Sequence, residues 1–256
     1  MSIVNCFPLA KKIQEVDDNI LVLSYGNLLP GGSSGISMIS FGAFMYYSST
    51  SSITSKYGTY LKLKEVMFKN VKSIFAYAFQ YQSILSKASF PACETIGASV
   101  FGRCVALTEV SFPACKTIDS GVFAYCSALT EVSFPACSSI GGHAFLKCIA
   151  LTEVSFPECT TIGSTAFQSC TSLEIASFPK CIRISAKAFE GCTKLSQLWL
   201  MASSVAIGSS SMLSNTPIAL SSYLGYFGSI YVPASLLATY KDAQYWRAYS
   251  NRMVGI

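Results

Sequence analysis

Histidine is almost missing from this chain: His143 is the only one in 256 residues. Any Ser-His-Asp or Cys-His nucleophile would have to use it. It stands in "GGHAF", at a position held in neighbouring copies of the same pattern by Ser99, Gly121, Thr165 and Lys187. A position this tolerant reads as exposed and incidental, and no partner spacing supports a triad. Charge is also scarce, at 12%, with 18 Lys and Arg against 13 Asp and Glu for a net +5. Long apolar runs are absent. "ILVL" at Ile20–Leu23 falls far short of the roughly 20 residues that span a bilayer, so a mean hydropathy of +0.45 does not argue for membrane insertion. No C-x-x-C pair offers zinc ligands, no G-x-x-x-x-G-K-[ST] cradles a phosphate, and no nucleic-acid reader motif occurs. The expectation is a chain with no enzymatic activity, metal or cofactor.

What the chain does hold is one phrase said five times. "SFPAC" recurs at Ser89–Cys93, Ser111–Cys115 and Ser133–Cys137, and its variants fall at Ser155–Cys159 and Ser177–Cys181, always 22 residues on. A fixed period in the twenties marks a solenoid, whose coils bury their apolar sides only by stacking. The columns read clearly: Leu107 to Leu195, then Val110 to Leu198, then Phe90 to Phe178 with Leu200 closing. L-x-x-V-x-F matches the strand signature of a leucine-rich repeat. Proline follows each Phe and should stop each strand, since it has no N–H for a ladder. An isoleucine column, Ile96 to Ile184, and small-Phe pairs such as Val100-Phe101 and Ala144-Phe145 make up the return half. About ten residues remain there, enough for a single helical or 3₁₀ turn.

The consensus L-x-x-V-x-F-P-x-C-x-x-I-x-x-x-A-F-x-x-C resembles the BspA-like class of bacterial leucine-rich repeats. The resemblance covers most of the chain and rests on several columns over five coils. It implies an α/β repeat solenoid, a right-handed superhelix with a parallel concave β-sheet of about eight short strands and short turns on the convex side. It also implies a secreted or cell-surface binding protein, and offers no shared catalytic residues to carry over.

Residues 1–35 read as an N-terminal cap, in which "PLAKKIQEVDDN" is an amphipathic helix and no secretory signal is evident. Residues 36–200 are the solenoid, with an insertion at 47–62. Residues 201–256 read as a degenerate final coil, a loop and a capping helix that starts after Ser235 as N-cap. "SIYVP" at Ser229–Pro233 echoes "EVSFP" and should be the last strand. Lys56, Lys62, Lys64, Lys69, Lys72 and Lys87 face only Glu65 in the first coils; a solvated flank is the plain reading, and an edge for an anionic glycan the sharper one.

Of 11 cysteines, ten form two columns, 93 to 181 and 104 to 192, and Cys6 stands alone. In-register side chains lie about 4.8 Å apart across a ladder, beyond the ~3.8 Å between Cβ atoms that a disulfide prefers. Buried thiols acting as small apolar fillers are therefore expected. On the concave face, Glu109, Glu131 and Glu153 should stack in file. At about 5 Å in water two such charges repel by only ~0.8 kcal/mol, so a solvated strip is tolerable and a basic partner would suit it. Toward the C-terminal end the strip becomes Ile175, Gln197 and Trp199. Trp199 is either a contact residue or covered by the aromatic loop at 219–229, which brings Tyr223, Tyr226 and Phe227. The resulting expectation is a binding module for a protein or glycan, probing its partner as a monomer; a structural spacer is the alternative. Identical tandem coils make a uniform surface rather than the asymmetric constellation catalysis needs.

Overall fold

A computed structural model describes residues 65–68, 71–219 and 228–256, together with the strand backbones Val22–Ser24 and Met38–Ile39. The proposed N-terminal helix, the insertion at 47–62, Cys6 and the aromatics of the 219–229 loop lie outside the described residues.

Each regular coil carries two strands, where the sequence reading expected one. The first has three residues, as in Glu109–Ser111, Glu131–Ser133 and Glu153–Ser155. The second has two, as in Thr117–Ile118 and Ser139–Ile140. The pairing is parallel throughout and joins each strand to those of neighbouring coils, except between Glu131–Ser133 and Glu153–Ser155. The two-residue strands form one eight-stranded sheet, from Met38–Ile39 to Ala206–Ile207. The three-residue strands, with the four-residue Ser229–Val232, form two five-stranded sheets, so among the described residues this face carries ten strands against the expected eight or so. Val22–Ser24 pairs with Glu65–Met67, and Met253–Gly255 pairs with Ser229–Val232. The missed second ladder follows from the isoleucine column. A β-branched residue pointing inward beside a hydroxyl residue suits a short pleat, and side chains also bond across it, as between Ser139 and Thr161 at 2.8 Å.

The core is a stack of repeated layers. Phe79, Phe101, Phe123, Phe145, Phe167 and Phe189 form one file, with neighbouring centroids 5.1 to 5.5 Å apart. A second file runs through Phe68, Phe90, Phe112, Phe134, Phe156 and Phe178. Rings of the two files meet near edge-on, as Phe101 and Phe112 do at 64°. Offset and edge-to-face contacts both suit the ring quadrupole, and every one of these rings is buried.

The convex turn is not helical. Among the described residues, helical turns begin only at Ser210. The return half closes instead through two left-handed residues per coil. One column holds Tyr77, Ser99, Gly121, His143, Thr165 and Lys187; the other holds Tyr81, Arg103, Tyr125, Lys147, Ser169 and Gly191. Left-handed backbone costs a residue with a Cβ on the order of 1 kcal/mol or more. The cost is offset because, in all of these but Lys187, the N–H binds the next coil, as His143 N donates to Ser164 O at 3.0 Å and Arg103 N to Ala124 O at 2.8 Å. His143 is exposed, as its tolerant column implied.

The single capping helix after Ser235 is also corrected. Ala234–Leu236 is a 3₁₀ turn, Leu237–Asp242 is α-helical, Trp246–Arg252 is 3₁₀ and Met253–Gly255 is a strand. Leu236 stands at the N-cap, without a side-chain bond. The break falls at Tyr245, with φ of 65°. It lets three rings reach one surface: Tyr240 Oη donates to Ala202 O at 2.8 Å, Trp246 Nε1 to Val205 O at 2.7 Å, and Tyr249 Oη to Ser210 O. The 3.6-residue pattern had registered the shared face but not the turn between its parts.

Candidate partner-binding surface

On the three-residue strands the middle side chain points inward, and the two flanking ones face out. Strand register sets the outer side chains in two files. The first runs Glu65, Lys87, Glu109, Glu131, and then Glu153, Ile175, Gln197, Ser229. The second runs Met67, Ser89, Ser111, Ser133, and then Ser155, Ser177, Trp199, Tyr231, Val254.

Lys87 breaks the acidic file and meets Glu109 at 3.1 Å. The Glu109 carboxylate bonded to it raises the Lys87 ammonium above the usual lysine range, with Glu65 and Glu131 adding to the field. Lys72 likewise meets Glu94 of the next coil at 3.4 Å. The described part of the basic flank is thus paired with acids one coil on, which corrects the reading that it faces only Glu65. Both pairs are exposed and worth little to stability. Glu131 and Glu153 then flank the one lapse in this face's ladder among the described residues, between Glu131–Ser133 and Glu153–Ser155. The Phe134 and Phe156 rings beneath separate to 6.1 Å, and Val132 is only partly buried. Two unpaired carboxylates side by side disfavour the closest pairing there.

At the other end the serine file stops. The Trp199 indole stacks on the Tyr231 ring with centroids 4.1 Å apart and planes 16° from parallel. Its Nε1 donates to Gln197 Oε1 at 3.2 Å. Ile175, Gln197, Trp199 and Tyr231 are all half-buried, and Val254 is 40% exposed. Tyr231 covers one side of the indole, and the small Ser177 is its neighbour on the other. Sequence reasoning placed Trp199 on this face and overlooked Tyr231. The signal was present, because aligning "SIYVP" on "EVSFP" puts Tyr231 in the serine column. Of the expected contact residues, the structure brings Ile175, Gln197 and Trp199 together and leaves Glu109, Glu131 and Glu153 as an exposed strip beyond them.

The ten column cysteines are free and buried, as expected. They also have a polar role the sequence did not reveal. Cys104, Cys126, Cys148, Cys170 and Cys192 donate to the carbonyls of Phe79, Phe101, Phe123, Phe145 and Phe167 in the preceding coil, at 3.0 to 3.2 Å. Cys93, Cys115, Cys137, Cys159 and Cys181 donate within their own turns, at 3.1 to 3.3 Å. Each is a small apolar filler that also satisfies a buried carbonyl. Burial pushes Cys93, Cys115 and Cys181 up to about 12 and Cys137 to about 11. Neutral thiols at these values are poor nucleophiles and poor metal ligands.

Stacked coils of parallel strands closed by tight turns define a leucine-rich repeat solenoid. The BspA type leucine-rich repeat model matches residues 33–130 and 116–224, in six copies, and the chain belongs to that family. Solved structures agree. A leucine-rich cell surface protein of Faecalibacterium prausnitzii is 25% identical with a TM-score of 0.53, over 64% of this chain and 43% of that one. A leucine-rich repeat protein of Bacteroides ovatus is 26% identical with a TM-score of 0.50, over 64% and 50%. The leucine-rich repeat protein of T. pallidum is 25% identical with a TM-score of 0.50, over 57% and 71%. The match thus spans half or less of the first two proteins' length. No curated protein matches the sequence significantly. No helix among the described residues is long and apolar enough to cross a membrane.

Proposed function

We propose that this chain is a non-catalytic binding or adhesion module, displaying its three-residue-strand face to a protein or glycan at a bacterial cell surface. One observation carries the reading. The outer file is serine through five coils, Ser89 to Ser177, and is then replaced by the stacked Trp199 and Tyr231. A spacer has no need to interrupt a uniform polar file with two large rings. Rigid aromatics give large contact area at low entropy cost and dominate interface energetics. The contact surface comprises Ile175, Gln197, Trp199 and Tyr231, with Tyr223, Tyr226 and Phe227 of the adjoining loop, and the strip Glu109, Glu131 and Glu153 extends it toward basic partners. Surface location is supported by the family and by the F. prausnitzii protein described as a cell surface protein.

The test is a screen of purified extracellular proteins and a glycan array with the wild-type chain, followed by Trp199→Ala on the best hit. Truncating a hot spot costs about 2 kcal/mol or more in binding, with the melting temperature nearly kept. An affinity unchanged by Trp199→Ala would move the contact site elsewhere, and no binder in either screen would favour the structural-spacer reading.

A further inference from the structure

A different feature lies on the convex side. Tyr81, Arg103, Tyr125 and Lys147 occupy one position in four successive coils, alternating ring and cation. The Arg103 guanidinium carbon lies 4.4 Å from the Tyr125 centroid and 5.8 Å from that of Tyr81. The Lys147 ammonium lies 5.4 Å from the Tyr125 centroid. All four residues are left-handed, with φ from 57° to 64°. Each N–H binds the next coil, at 2.7 to 2.9 Å. The backbone beneath these side chains is therefore a fixed rail, and cation–π contact holds the long cations upright on it. Beyond Lys147 the column continues as Ser169 and Gly191, so the ladder is confined to one stretch.

Both cations are exposed, and neither belongs to an ion pair among the described residues, whereas Lys72, Lys87, Lys180 and Lys187 each meet a glutamate. Val105 and Ile149, two residues on in the same coils as Arg103 and Lys147, are 44% and 45% exposed. The rail therefore presents charge flanked by small apolar patches.

We propose that this ladder is a second binding site, for a linear acidic glycan that carries one anionic group per disaccharide. It is separate from the strand-face surface and does not depend on it. Charge complementarity selects an anion. Spacing selects the kind: Arg103 and Lys147 stand two coils apart, about 10 Å at twice the strand spacing. A disaccharide repeat spaces its charges at a similar interval, and its apolar sugar edges match Val105 and Ile149. Single-stranded nucleic acid fits poorly. Its phosphates are closer together, and the bases need open aromatic faces to stack on. Tyr125 has none, because Arg103 and Lys147 cover its two sides.

The test is calorimetric titration with a hyaluronan octasaccharide, which has one carboxylate per disaccharide. Poly-glutamate and oligothymidylate of matched charge serve as rivals. The wild-type chain should bind the octasaccharide, more weakly as salt rises. Arg103→Gln with Lys147→Gln should lose about tenfold or more, while Arg103→Lys keeps most of the affinity. If the double variant fails to fold, Lys147→Gln at the end of the ladder carries the same test. Trp199→Ala should bind the octasaccharide as wild type does; a loss there would assign the glycan to the strand face and overturn this site. So would no binding by wild type, an unchanged affinity in the glutamine variants, or tighter binding of either rival. Absent glycan binding together with lower melting of the glutamine variants would make the ladder a structural rail only.

Discussion

The indole of Trp199 and the ring of Tyr231 lie face to face, 4.1 Å between centroids, on the outer side of two neighbouring parallel strands. Their inward neighbours Leu198 and Ile230 are fully buried. The two rings are thus held by strands that the core fixes. A double-mutant cycle on Trp199→Ala and Tyr231→Ala, measured by urea unfolding, should give a coupling of about 0.5–1.5 kcal/mol. Simple additivity would mean the rings do not stack in solution.

The buried thiols set an upper pH limit on stability. The folded values of Cys93, Cys115 and Cys181 lie above the ordinary thiol value, near 12. A group raised on folding contributes its full stability below its unfolded value, here 9.0, and loses it as pH rises toward the folded one. The melting temperature should hold up to about pH 9 and then fall, with several thiols acting together. A flat profile to pH 11 would contradict their burial. In the same vein, thiol reagent should count nearly all the column cysteines in denatured, unreduced chain, and few in native chain.

Phe123 stacks on Phe101 and Phe145 and meets Phe112 and Phe134 edge-on. Phe123→Ala should cost about 3–5 kcal/mol, because a stiff coil cannot collapse into the void. In a nearest-neighbour array such a loss uncouples the halves. Urea unfolding of this variant should therefore broaden or split into two transitions, while a single sharp one would show longer-range cooperativity.

The lapse between Glu131–Ser133 and Glu153–Ser155 should be visible in amide exchange. Phe112 N donates to Ser133 O and Phe156 N to Ser177 O, both at 3.0 Å, whereas Phe134 stands at the break. Its amide should exchange faster than those of Phe112 and Phe156. Glu131→Lys, which sets a cation between Glu109 and Glu153, should slow it and add about 0.2–1 kcal/mol. Equal protection in all three would mean the ladder is continuous.

Much of the fold was legible because a solenoid repeats its physics. Each column of Leu, Val, Phe or Cys states the same burial many times, so the repeat period, the inward faces and the free thiols were readable from Leu107 or Cys126 and their copies. The second ladder was less so, since two residues such as Thr117–Ile118 are too few to show a period. The left-handed columns were hidden for another reason. Tyr125, Lys147 and Thr165 do not announce positive φ as glycine does; hydrogen bonds to the next coil impose it.

The candidate surfaces divide the same way. Sequence determined that Trp199 interrupts a serine file, because strand alternation has a period of two and the register was fixed by the repeat. Only the tertiary structure decided which side chains touch across the coils, and in what geometry. Stacking brings Tyr231 against Trp199, Lys87 against Glu109, and Arg103 between Tyr81 and Tyr125. Each pair is separated by a full coil along the chain, a distance over which local propensity carries no information. The contact exists because parallel ladders set one coil directly upon the next.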